Sequence, residues 1–151
     1  MKTCFFIGHR NAPESLRPLL DAVIERHIVQ YGVANFVVGR YGSFDRLAAQ
    51  ALRDAKQRHP KIRLTLLVPY YDLIKPIELP PGFDDSLYPD GLELVPKRAM
   101  IMRTNRYMIQ RSDYLIAYDA GHIGNTRELV KYARRREERG LIRIENLAEE
   151  N

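Results

Sequence analysis

Five short apolar runs, alternating with segments of helical periodicity, constrain this chain more than any other feature. They lie at residues 3–7, 35–38, 62–68, 113–118 and 141–144. The first two close on Gly8 and Gly39. Between the first pair, Leu16, Leu19, Leu20, Val23, Ile24 and Ile28 recur at the spacing of one helix face. Asn11, with Pro13 and Glu14 after it, offers a capping box to that helix. Between the second pair, Ser43 can cap a helix whose stripe is Phe44, Leu47, Ala48, Ala51, Leu52 and Ala55. A third helix fits about residues 97–111. A fourth runs to about Arg139, where Gly140 stops it. Near-continuous apolar strands alternating with helices predict a parallel sheet covered on both faces. Right-handed crossovers then predict an α/β, three-layer Rossmann-like fold with five parallel strands in order 3-2-1-4-5.

One domain spanning residues 1–151 is expected at this length. The rhythm breaks at 69–96, which holds six of the nine prolines and reads as a long loop. No apolar run is long enough to cross a membrane, and the N-terminus lacks a signal-peptide core, so a cytoplasmic location is expected. The single cysteine, Cys4, excludes an internal disulfide and reads as a buried structural thiol. The histidines at 9, 27, 59 and 122 show no ligand spacing, so neither a metal nor a cofactor is expected. Lysine and arginine exceed the acids by five, a balance suited to an anionic ligand.

In the expected strand order, the turns after the first and fourth strands flank the crevice where such folds bind ligands. The first turn is Gly8, His9 and Arg10. Arg10 can fork onto phosphate oxygens, and His9 can bond a ribose hydroxyl or act as an acid–base. The other turn ends in Gly124, Asn125 and Thr126. There glycine permits close approach, and free helix amides favour an anion. The same residues also suit a bare strand-to-helix turn. A third turn supplies Gly39, Gly42, Ser43 and Asp45. Asp45 either bonds a ribose, supports the site or stabilises the helix dipole. Asn105, with Arg103 and Arg106, lies just before the fourth strand. Tyr70 and Tyr71 either stack on a base or pack under the proline-rich loop. Neither the dinucleotide fingerprint nor a P-loop is present. The run from Arg134 to Arg139 reads as an exposed helix end of mixed charge.

The stretches CFFIGHR, FVVGRYGSFDRLAAQAL and TNRYMIQRSDYLIAYDAGHIGNT, in this order, resemble the SLOG superfamily over about residues 3–145. That superfamily joins DprA, the "lonely guy" phosphoribohydrolases and YpsA-like bacterial proteins; the likeness is closest to small bacterial proteins near the YpsA branch. The resemblance implies a Rossmannoid fold that binds nucleotides or nucleotide-derived ligands, NAD- or ADP-ribose-like, at these turns. Registered on Met108 and Asp113, the phosphoribohydrolase arginine falls on Thr104 and its glutamate on Leu129. Glu128 stands one residue short, about a hundred degrees around a helix. The usual Gly-Gly pair is Gly124-Asn125. Holding a nucleotide as a sensor or regulatory module is therefore the expected function. The alternative is N-glycosidic cleavage of a nucleoside monophosphate, with Glu128 stabilising charge and Arg103 or Arg10 on phosphate. The expected partner is a nucleotide-like small molecule, and a homodimer through the helices is compatible with the pattern. Nucleic acid is not favoured, because no aromatic platform for single strands is visible.

Overall fold

A computed structural model describes residues 1–68, 78–89, 91 and 95–149, with backbone alone at 97 and 98. Tyr70 and Tyr71 lie outside the described residues. The elements are β1 (Thr3–Gly8), α1 (Arg17–Val29), β2 (Asn35–Val38), α2 (Ser43–Arg58), β3 (Arg63–Leu67), β4 (Asp85–Leu87), α3 (Lys97–Gln110), β5 (Tyr114–Tyr118), α4 (Asn125–Glu138) and β6 (Arg143–Asn146). Short 3₁₀ turns at Glu14–Leu16 and Leu147–Glu149 precede α1 and follow β6. No helix among the described residues is long and apolar enough to cross a membrane.

The sheet is parallel and runs β4-β3-β2-β1-β5-β6. The five expected strands keep their expected neighbours, but the sheet has six strands rather than five. The sixth, β4, comes from the segment read as a loop. It pairs Asp85, Ser86 and Leu87 with Thr65, Leu66 and Leu67 at one edge. Its side chains are exposed or half-buried, so no apolar run announces it. Ion pairs hold the edge instead, Lys56 to Asp84 and Arg63 to Asp85. The Leu64 amide also donates to Asp84 Oδ2, at 2.9 Å.

Strand residues alternate between two cores, as the period of two requires. Cys4, Phe6, Phe36, Val38, Leu64 and Leu66 face α1 and α2. Phe5, Ile7, Val37, Leu67, Leu115 and Ala117 face α3 and α4. The predicted stripe of α2 is buried throughout. Two predicted caps are not formed. Asn11 is exposed; Pro13 is extended, a 3₁₀ turn begins at Glu14, and Pro18 opens α1. Gly42, not Ser43, occupies the N-cap of α2.

Cys4 is fully buried in β1, and burial pushes its thiol far above the ordinary range. A thiol reagent is expected to leave the folded protein unmodified and to label Cys4 in denaturant. Labelling at equal rates under both conditions would contradict this packing.

Candidate functional site

The strand order reverses between β1 and β5, because the crossovers of β1–β3 run over one face and those of β4–β6 over the other. Chains therefore diverge at the C-terminal edge and leave a crevice. A cavity of about 370 Å³ occupies it, within the range of ligand pockets. Of the residues singled out in the sequence, Gly8, His9, Arg10, Gly39, Asp45, Asn105, Gly124, Asn125 and Thr126 line this cavity. Gly42, Ser43 and Glu128 do not.

Gly42 and Ser43 work one layer behind. The Ser43 amide and hydroxyl both donate to Arg10 O, at 2.8 and 2.7 Å, and the hydroxyl accepts from the Ala12 amide at 2.6 Å. Gly42 has φ +93°, and a Cβ there would lie 2.6 Å from Arg10 Cα. The pair buttresses the loop that carries Arg10. Thr126 does a related job: its hydroxyl donates to Gly8 O at 3.2 Å, joining the start of α4 to the end of β1.

His9 is a strut more than a free acid–base. Its Nε2 accepts from the Ala120 amide at 2.9 Å, which requires that nitrogen to be unprotonated. Burial lowers its pKa, the nearby His122 lowers it further, and Asp119 opposes both. The ring stacks on His122 at 4.8 Å. His9 thus fixes the turn that delivers Gly124.

Charge in the cavity is uneven. Arg10 is exposed and has no acidic partner among the described residues. No side chain among the described residues caps the N-terminus of α4, and its first backbone bond runs from the Glu128 amide to Gly124 O. The amides of the first turn are left for a ligand or solvent. Among the described residues, Asp45 is the acid that lines the cavity. Burial raises its pKa to about 7, against the pull of the Tyr41 amide on Oδ2 at 2.9 Å. Gly39 gives it room, since a Cβ there would stand 3.0 Å from Oδ2.

Glu128 is exposed on α4 and faces Lys131 at 3.8 Å. Arg103 is exposed and lines a separate groove with Arg106, Tyr107 and Arg111. Of the groups named for the cleavage alternative, Glu128 and Arg103 therefore lie outside the cavity, whereas Arg10 lines it. Sequence reasoning missed several wall residues: Tyr41, Leu67, Ile101, Thr104, Ile123 and Leu129. Leu67 and Ile101 fell inside the third strand and third helix without standing out. Thr104 carried a signal as the residue standing where the resembling enzymes have an arginine.

No protein-family model matches the chain, and no curated protein does.

Proposed function

We propose that this cavity binds a nucleotide or nucleotide-derived ligand, NAD- or ADP-ribose-like, and that the protein serves as a sensor or regulatory module. One observation carries the reading: Arg10, without an acidic partner among the described residues, and the N-terminus of α4 meet at the same cavity. Amides and a guanidinium around a glycine turn suit phosphate oxygens. The resemblance to SLOG proteins points the same way. Cleavage has less support, because Glu128, the carboxylate it relies on, stands elsewhere.

Adenosine monophosphate, ADP-ribose, NAD and cyclic nucleotides are the ligands to screen by thermal shift, since binding stabilises the native state by mass action. Arg10→Ala is expected to weaken adenosine monophosphate by about tenfold, the scale of one charge-assisted hydrogen bond. Unchanged affinity would remove Arg10 from the site. Each hit is expected to return intact on product analysis. Adenine and ribose 5-phosphate in its place would establish cleavage, with Asp45 as the first acid to replace.

A further inference from the structure

The cavity has a charged rim and a neutral floor. At the rim, Arg10 and Gly124 are exposed, and Ile123 is 94% exposed. At the floor, Leu67, Thr104 and Leu129 are each 2% exposed. Thr104 Oγ1 is buried and has no hydrogen-bond partner among the described residues. A buried threonine or serine on a helix commonly donates to the carbonyl four residues back. Ser112, just past the end of α3, does so to Met108 O at 2.7 Å. Thr104 does not, and its residue lines the cavity. An orphaned buried hydroxyl weakens the free protein unless something enters to meet it.

We propose that the floor receives the nucleobase of the bound nucleotide and that Thr104 hydrogen-bonds the base edge. This rests on the nucleotide reading above. Phosphate is disfavoured at the floor, because no cation among the described residues lines it and an unpaired buried charge is very costly. Ribose suits other polar side chains of the cavity, Asp45 and Asn105, better than a floor of Leu67, Leu129 and one hydroxyl. A base has apolar faces for Leu67, Ile101 and Leu129 and a polar edge for one hydroxyl. The phosphate then remains at the rim, with Arg10 and the start of α4.

The test is calorimetric titration of adenosine monophosphate and of ribose 5-phosphate into wild type, Thr104→Val and Thr104→Ser. Wild type is expected to bind adenosine monophosphate more tightly than ribose 5-phosphate. Thr104→Val is expected to lose about 3- to 10-fold for adenosine monophosphate, the scale of one neutral hydrogen bond, and nothing for ribose 5-phosphate. Thr104→Ser keeps the hydroxyl and is expected to retain most of the affinity. Ligand-free Thr104→Val is expected to melt about 2–4 °C above wild type, because the orphaned group is gone. Equal binding of the two compounds by wild type, or equal effects of Thr104→Val on both, overturns the base assignment and leaves the phosphate reading standing. Binding of neither compound overturns both. A Thr104→Val protein that melts below wild type shows that the hydroxyl is satisfied internally, and it too overturns the assignment.

Discussion

Raising the pH from about 4 to about 8 is expected to weaken the fold through Asp45, and Asp45→Asn is expected to remove that loss. The carboxyl titrates near 3.8 when the chain is unfolded and near 7 when it is folded. Between those values the native state holds a proton that the unfolded state has released. Unfolding free energy therefore falls as pH rises through the window, and the loss is complete above the folded pKa. Three pH units correspond to a ceiling of about 4 kcal/mol. The carboxyl opens partly to the cavity, so a loss of about 2 kcal/mol is the working expectation. His9 acts with the opposite sign: its lowered pKa means that stability is lost as pH falls below its unfolded value near 6.5. Glu25 and Asp84, held low mainly by His59 and Lys56, lose their contributions only in acid. Those groups are common to both proteins, so the difference between wild type and Asp45→Asn isolates Asp45. Urea titrations at several pH values measure it. Parallel curves for the two proteins would mean that the carboxyl ionises normally. The same charge bears on the ligand. Ionised Asp45 faces any phosphate in the cavity, so adenosine monophosphate is expected to bind more weakly above pH 7 in wild type than in Asp45→Asn.

β1, β2, β3 and β5 were legible because each carries an apolar run, and α1 and α2 because apolar residues recur along one face; the run at 141–144 announced the last strand two residues early, since β6 pairs as Arg143–Asn146. Right-handed crossovers pointed to a doubly wound sheet, and the order expected was a usual one for that fold. β4 was hidden for a physical reason: Asp85, Ser86 and Leu87 join the sheet edge through backbone bonds and pack little apolar surface. The three turns were legible as loops rich in glycine and polar residues, but the division of labour inside them was not. Gly42 with Ser43 has the composition of a ligand turn, yet both brace the Arg10 loop. His9 has the composition of an acid–base, yet its Nε2 is committed to the Ala120 amide. Composition lists donors and acceptors; only geometry shows which of them are already spent. Thr104 is the converse case, since its importance is the absence of a partner.

Gly8→Ala is expected to cost about 3 kcal/mol and to lower the melting temperature by about 10 °C, the scale of overpacking a rigid core in a chain of this size. The end of β1 passes so close to α2 that a Cβ on Gly8 would lie 2.2 Å from Phe44 Cγ and 2.3 Å from Phe44 Cδ2. Phe44 is fully buried and cannot swing into solvent. Either the end of β1 or the first turn of α2 must move. Moving α2 displaces Asp45, the residue after Phe44, and disturbs Gly42 and Ser43, which hold Arg10. Fold and site are therefore expected to fail together, unlike Arg10→Ala, which should spare stability. The partner ring gives the control. Phe44→Ala alone should destabilise by loss of packing, but combined with Gly8→Ala it should recover part of the deficit, because the colliding Cγ and Cδ2 are gone. A double-mutant cycle in urea reads that coupling. Strict additivity of the two substitutions would show that the clash with Phe44 is not the cause, and that Gly8 is needed only for its backbone.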